Sequence, residues 1–519
     1  MPRPHPQRWL ALGAIVVGIL VIGLDVTILN VALPTLATDL NASNSQLQWI
    51  VDAYIVTLAA LLLPAGLLGD RLGRRRLLLV GMLIFAAASA LAVIADSVGT
   101  LVTARALMGV GAAIVMPLSL SIIPSLFPAE ERSKAIAVVT GGLALGLPLG
   151  PLLGGWLLQN YWWGSIFLIN LPVVLAAAVA GALLIPESRD RDAPQLEPLA
   201  TAMAVLGLGA LVFGIIEAPE QGWLTIRTIL PLSLGLGLLA LFVWGQSRDG
   251  RRADRRQMVH LELFADRTFL WGSIAAMSSS LLMMGALFLI PQYLQVVAGN
   301  STLGTGVRLL PMVAGLMIAG AISEKLSFRL GHRLTISGGL GFMAAGFALA
   351  IGVGPETGYG WVALWLTVIG LGMGMSLVPA TDAVLGSLPV HRAGVGAALM
   401  QTLRQTGGAL GIAVMGSAVN AVYLRQLELP EVGPELTEAA ESSVASADAA
   451  ANASGNSTIA QTAYGAFTDA MGTVFLGGAV FAVITVLAIA RFFPTSVQSP
   501  THSAESNHDQ AGIARTQKS

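Results

Sequence analysis

Apolar runs of about 18 to 25 residues recur along nearly the whole chain, and each has the length a helix needs to cross a hydrocarbon layer roughly 30 Å thick. With 55% hydrophobic and only 11% charged residues in 519, the chain lies far outside the composition of a water-soluble domain. Inside a bilayer every backbone N–H and C=O must find its partner within its own segment, so runs this long are helices and not barrel strands. Charged residues, glycines and prolines break the runs into spans near residues 10–34, 47–69, 77–95, 100–127, 135–158 and 165–185. Two more lie near 199–218 and 228–245, and six follow near 269–297, 304–324, 334–353, 361–388, 394–423 and 466–491. The expected architecture is an all-α integral membrane protein of fourteen transmembrane helices, arranged as two six-helix bundles plus a two-helix insertion. The expected divisions are a first bundle over 1–190, the insertion and a cytoplasmic linker over 191–267, a second bundle over 268–495, and a disordered cytoplasmic tail over 496–519.

The N-terminal MPRPHPQRW runs into a stretch longer than a signal-peptide core with no small-residue cleavage site behind it, so it reads as a retained first helix. With both termini on the cytoplasmic side, 23 of the 28 Lys and Arg fall in inner segments, the asymmetry that sets membrane orientation. Arg227, Arg308 and Arg425 lie at outer helix ends, while Arg105 and Arg404 fall inside helices. The segment from about Gln426 to Thr462 carries Glu428, Glu431, Glu435, Glu438, Glu441 and Asp448 without a basic residue, and reads as a solvated, mobile outer loop. Only three of the basic residues are lysine, a bias associated with a GC-rich bacterial genome, which places the chain in a bacterial inner membrane. Asn452 and Asn456 fit a glycosylation pattern that has no role in such a cell. Trp9, Trp49, Trp163, Trp271 and Trp361 sit near expected helix ends, as an interfacial aromatic belt would.

Several readings are negative. Cysteine is absent and the six histidines show no ligand spacing, so no metal site is expected. No phosphate-cradling loop of the ATP-binding type occurs, so energy for any transport has to come from an ion gradient. No cofactor and no nucleic-acid partner are expected, and nothing suggests an assembly beyond the monomer. An enzyme or receptor would need clustered catalytic groups or a folded soluble domain, and neither is present.

The loop GLLGDRLGRRRLLL, residues 66–79, sets Gly66, Asp70, Arg71, Gly73, Arg74 and Arg75 between the second and third spans. Its glycines permit a tight turn and close backbone approach, Asp70 suits a helix N-terminus, and the arginines suit the cytoplasmic leaflet. A pure topology anchor would need the arginines alone. A degraded counterpart, KLSFRLGHRLTI at 325–336, keeps Arg329, Gly331 and Arg333. TGGLALG at 140–146 and TGGALG at 406–411 likewise open corresponding helices, as duplicated bundles would.

In the fifth span, GLPLGPLLGG at 146–155 places Gly146, Gly150 and Gly154 four apart, a smooth stripe for helix packing, with Gly155 beside it and Pro148 and Pro151 to bend the helix. The first span carries Asp25 in GLDVTILNVALP, and the fourth carries Arg105 in LVTARALMGVGAA. Asp25 lies about 22 Å along its helix at 1.5 Å per residue, a depth at which it can meet Arg105. An intramembrane charge without a partner costs about 3 kcal/mol or more.

Together with LQWIVDAYIVTLAALLL in the second span, FLINLP at 167–172, IIEAPEQGW at 215–223 and QTLRQTGGALGIAVMGS in the thirteenth, the loop at 66–79 and the stretches in the first, fourth and fifth spans cover most of residues 20–420. They resemble the major facilitator superfamily and, within it, the fourteen-helix drug:proton antiporters that export quaternary ammonium compounds and cationic dyes. The resemblance implies the major facilitator fold, a conformational latch at Gly66, Asp70, Arg71, Gly73 and Arg74, and an exporter-type motif at Gly146, Gly150, Pro151, Gly154 and Gly155. It implies proton coupling at Asp25 and Arg105, with protons and small-molecule drugs as substrates and membrane lipids as surroundings. Burial favours a neutral carboxyl and a nearby arginine favours the ionised one, so a site where access and pairing alternate can load a proton outside and release it inside. A static Asp25–Arg105 pair that only joins two helices is the alternative.

Candidate cavity residues are Asp52 and Tyr54 in the second span, Asp382 in the twelfth, and Gln401, Arg404 and Gln405, whose spacing puts them on one face of the thirteenth. Asp382 is expected to contact a cationic substrate or to pair with Arg404, while Glu217 reads as peripheral. Some relatives that export divalent cations use an acidic residue in the tenth span, and GVRLLPMVAGLMIAGAIS at 306–323 has none. Two other readings of the fold stay open at this point: a proton-coupled importer of a metabolite, and a narrow exporter of one endogenous antibiotic or lipid-like product.

Overall fold

The structure, a computed structural model, describes residues 6–190, 197–249, 261–388, 393–429 and 432–495. The expected tail and parts of the linker segments, 191–196 and 250–260, lie outside them. All regular elements among the described residues are helical. Thirteen helices are long and apolar enough to span a membrane: α1 (Arg8–Asp39), α2 (Asn44–Leu72), α3 (Arg74–Val93), α4 (Val98–Ser121), α5 (Glu130–Asn160), α6 (Ser165–Leu184), α7 (Pro198–Gln221), α8 (Ile226–Arg248), α9 (Arg267–Val297), α10 (Thr302–Leu330), α12 (Tyr359–Gly386), α13 (Val395–Gln426) and α14 (Ser457–Phe492). The expected eleventh span is α11 (His332–Leu349). His332 and Arg333 at its start dilute its apolar character, but it packs among the others as a full member of the bundle.

Helix boundaries follow local chemistry. Ser43 and Gln46 form a reciprocal capping box that starts α2, Ser97 caps α4, and Asp266 accepts from the Phe269 N–H at 2.8 Å to start α9. The last turn of α9, Tyr293–Val297, widens into a π-helix just after Pro291, where the missing proline N–H loosens the ladder.

The packing partners repeat between the two halves. In the first, α1 packs on α5 and α6, α4 on α2 and α3, and α3 on α6. In the second, α9 packs on α13 and α14, α12 on α10 and α11, and α11 on α14. The halves meet through α2 against α13 and its counterpart, α10 against α5, with α1 against α9 between them. The insertion α7–α8 is a hairpin whose α7 lies against both α2 and α13. The outer side of α8 carries exposed Leu230, Leu234, Leu241, Val243 and Trp244, which suits contact with lipid.

The segment after α13 departs from expectation. In place of a solvated mobile loop, two short helices, Pro434–Ser442 and Val444–Ser454, bury Ala440, Val444, Ala445, Ala447 and Ala451. The Tyr423 hydroxyl donates to the Ala440 carbonyl at 2.7 Å, and the Tyr464 hydroxyl donates to the Asp448 carboxylate. The acidic residues misled because the small apolar residues between them decide the packing. Trp163 also departs from the aromatic belt: it is buried and packs edge-on to Phe167.

Candidate functional site

Asp25 and Arg105 meet in the core of the first half. The Arg105 Nη1 donates to Asp25 Oδ2 at 2.5 Å, with side chains 1% and 0% exposed. Arg105 Nε donates to the Ile50 carbonyl at 3.1 Å, and its guanidinium lies 4.4 Å from the centre of the Tyr54 ring. Two helices thus hold one cation carried by α4, by charge from α1 and by a backbone carbonyl and an aromatic face from α2. No hydrogen bond closes on Asp25 Oδ1. The Asn170 amide from α6 lies beside the carboxylate and donates to Ser89 Oγ at 3.5 Å. The sequence marked Asp25, Arg105 and Tyr54, but not Ile50, Asn170 or Ser89, because a carbonyl leaves no residue signal and the two polar side chains sit on helices read only as spans.

The glycines of α5 position the helix that carries Asp25. A Cβ at Gly146 would run into the backbone of Gly23 and Leu24, one at Gly150 into Thr27 and Ile28, and one at Gly154 into Ile28. The two backbones therefore approach as closely as small residues allow, and Thr27 Oγ1 donates to the Gly146 carbonyl at 3.3 Å. Gly155 faces Leu303 of α10, and the Pro151 carbonyl lies against Gly306, so the same motif touches the second half.

Gly66 and Gly69 admit Pro117 and Leu118 of α4. Gly73 has φ +120°, a conformation glycine tolerates and most residues resist. Asp70 does not cap a neighbouring helix. It pairs with Arg74 one turn on, Nε to Oδ1 2.7 Å, because Glu187 already occupies the start of α3 and accepts from the Arg75 and Arg76 N–H groups at 3.1 and 3.2 Å. Arg71 is exposed.

The cavity candidates divide. Asp52 and Tyr54 are fully buried and do not face open space, because helix packing covers α2 at that level. Gln401, Arg404 and Gln405 are half-buried, with Arg404 Nη1 donating to Gln401 Oε1 at 3.1 Å. The expected Asp382–Arg404 pair is not formed. Asp382, 71% exposed near the end of α12, lies 3.0 Å from His332 Nε2, since the start of α11 reaches it first.

The end of the molecule with the clustered arginines can be called the basic end. There the ion pairs among the described residues include Asp70 with Arg74, Arg76 with Glu187, Arg8 with Glu131, and His332 with Asp382, each within one half. At the far end the halves are joined. Asn44 Nδ2 donates to the Gly416 carbonyl at 3.4 Å, Ser417 Oγ to Gln48 Oε1 at 3.3 Å, Gln295 Nε2 to the Val31 carbonyl at 2.8 Å, and Thr302 Oγ1 to the Gly155 carbonyl at 3.0 Å. Among the described residues, all hydrogen bonds from the first six spans to the last six lie here.

Comparison with known proteins bears on these features. The chain is 35% identical to the multidrug efflux pump LfrA of Mycolicibacterium smegmatis, over 86% of this chain and 88% of that protein. It is 33% identical to the tetracenomycin C resistance and export protein of Streptomyces glaucescens, over 93% and 91%. Among solved structures, it is similar to a bacterial homologue of the human lysosomal transporter Spinster in an inward-facing, unoccupied conformation, with TM-score 0.68, 15% identity, and 95% and 99% of the two chains covered. That likeness, at low identity, concerns the fold. Residues 15–412 match the model of the Major Facilitator Superfamily, and with fourteen spans in duplicated halves the chain belongs to that superfamily of membrane transporters.

Proposed function

We propose that the protein is a proton-coupled multidrug exporter, which carries lipophilic, mostly cationic drugs out across the inner membrane of a bacterium by alternating access. In this reading both termini and the basic end are cytoplasmic, the far end is the outer face, and a monomer in the lipid bilayer suffices. The observation that carries the reading is the buried Asp25–Arg105 pair, set against the α1–α5 glycine contact.

A proton arriving at Asp25 neutralises the carboxylate and weakens its hold on Arg105, and departure of the proton restores the pair. Because Gly146, Gly150 and Gly154 lock α1 to α5 while Pro151 and Gly155 touch α10, a change at Asp25 is passed to the contact between halves. The arginine loop at 66–76, braced by Glu187, then serves as the latch that engages when the basic end closes. One proton at a driving force of about 150 mV supplies roughly 3.5 kcal/mol, enough for a gradient of about 300-fold in a neutral solute. Substrate meets the half-buried polar face of α13 around Gln401, Arg404 and Gln405.

The similarity to the tetracenomycin C exporter favours one further reading, a narrow exporter of an endogenous antibiotic-like product. Everted membrane vesicles separate the possibilities. Proton-driven uptake of several unrelated lipophilic cations supports the broad exporter, uptake of one compound class alone supports the narrow one, and uptake only into right-side-out vesicles rejects export.

A further inference from the structure

Asp52 is the least expected group in the molecule. It is fully buried, and neither carboxylate oxygen has a hydrogen-bond partner. An ionised carboxylate in that setting carries an uncompensated desolvation cost, whereas a neutral acid is tolerated.

Helical geometry fixes where it points. At about 100° per residue, Ile50 and Tyr54 mark the side of α2 that meets α4: the Ile50 carbonyl and the Tyr54 ring both contact Arg105. Asn44, Gln48 and Ile55 mark the side that meets α13, through Gly416, Ser417 and Gly408. Ser45 and Trp49 mark the side that meets α7, through the Ile216 carbonyl and Phe213. Asp52 falls between the last two, in the seam of α2, α7 and α13, roughly 200° around the helix from Ile50, which is why Arg105 does not reach it.

The seam is also the closed outer contact between the halves. The α2 contacts run antiparallel along α13, with Asn44 and Gln48 at Gly416 and Ser417 and Ile55 at Gly408, so Asp52 stands level with the stretch between them. No titratable residue lies in α13 from Gln405 to Tyr423 or in α7 from Pro198 to Ile216 except that tyrosine. The charged groups on the surrounding helices are elsewhere: Asp25 of α1 and Arg105 of α4 are paired on the opposite side, Glu217 and Glu220 of α7 lie nearer the outer end, beyond Trp49, and Arg404 of α13 is about two turns inward. At the basic end of α2, Asp70 and Arg71 face the α3 start with its arginines.

We propose that Asp52 is a proton-operated latch of the outer gate, with the insertion helix α7 as the wall that seals it from lipid. The neutral acid lets α2, α7 and α13 close over it. When the gate opens, outer water reaches the carboxyl, the proton leaves to that water, and the anion resists reclosure until a proton returns. The proton comes from and goes back to the same side, so Asp52 gates while Asp25 carries. Acid outside therefore favours closure and alkali favours opening. The inference rests on the exporter reading for which face is the outer one.

The chain contains no cysteine, so a spin-label pair at Asp39→Cys and Ser301→Cys, both exposed at the outer end, reports opening directly in lipid nanodiscs. The expected result is a longer-distance population that grows as pH rises, and its loss in Asp52→Asn, which stays closed at every pH. The same variant loses proton-driven export of tetraphenylphosphonium while still binding that cation in detergent. Asp52→Ala, which removes the acid by a different route, is expected to lose the pH response as well. The latch is overturned if the wild type shows no pH-dependent opening, or if the opening persists in both variants. Opening that persists in Asp52→Asn and is lost in Asp25→Asn overturns the latch while leaving the exporter reading intact. Wild-type vesicles without proton-driven export overturn that reading, whatever the labels show.

Discussion

At the residue scale, the Asp25–Arg105 pair is a buried ion pair, and such pairs are costly to half-remove. Arg105→Met leaves Asp25 buried beside Tyr54 without its cation, and is expected to destabilise the folded protein by about 3–5 kcal/mol, read as a lower melting temperature in detergent. Adding Asp25→Asn removes the stranded charge and is expected to recover much of the loss. A double variant as unstable as Arg105→Met would mean that the pair is not the source of the effect. Asp25→Asn alone is expected to leave the protein in the membrane and abolish proton-driven efflux. Both charged partners were legible from the sequence, because an acid and an arginine deep in apolar runs of known direction have computable depths. Their setting was not: the Ile50 carbonyl, the Tyr54 face and Asn170 meet only through packing of α2 and α6, which spacing along one helix does not encode. The expected Asp382–Arg404 pair is missing for a related reason, since the partner Asp382 finds, His332, stands 50 positions away on α11.

At the element scale, two contacts carry the argument. The start of α3 is held by the Glu187 carboxylate, which accepts from two exposed helix N–H groups and lies near Arg76, Nε to Oε2 3.6 Å. Glu187→Ala is expected to cost about 1 kcal/mol, the worth of a helix cap, seen as a small fall in melting temperature and as faster proteolysis of the 66–76 loop. The loop motif was readable in the sequence, but its brace was not, because Glu187 lies more than 100 residues further on. The second contact is the glycine face of α5. Gly146→Val places a branched side chain where the backbone of Gly23 and Leu24 lies, and forces α1 and α5 apart. Transport is expected to fall at least about tenfold, the effect of roughly 1.4 kcal/mol, while the protein still inserts. Near-normal transport by that variant would show that the close approach is dispensable. The same glycines were visible as a pattern, whereas their partner helix was not.

At the scale of the whole molecule, the count and order of spans followed from bilayer thickness alone, since the apolar runs cannot be satisfied in any other way. The pairing of helices did not, because every span is apolar on nearly all sides and periodicity loses its contrast. What the structure adds is the repeated set of partners in the two halves and, among the described residues, hydrogen bonds between halves that all lie toward the end away from the arginines. In the proposed cycle this is a state with Asp25 paired to Arg105 and the outer gate shut over Asp52. Exchange of cargo for proton at Asp25 is read by bringing the detergent-solubilised protein, in weak buffer, to an acidity at which Asp25 holds a proton, adding tetraphenylphosphonium and recording the protons released. Exchange at Asp25 gives a release that saturates with the cation in the wild type and disappears in Asp25→Asn; equal release from the two proteins would rule it out.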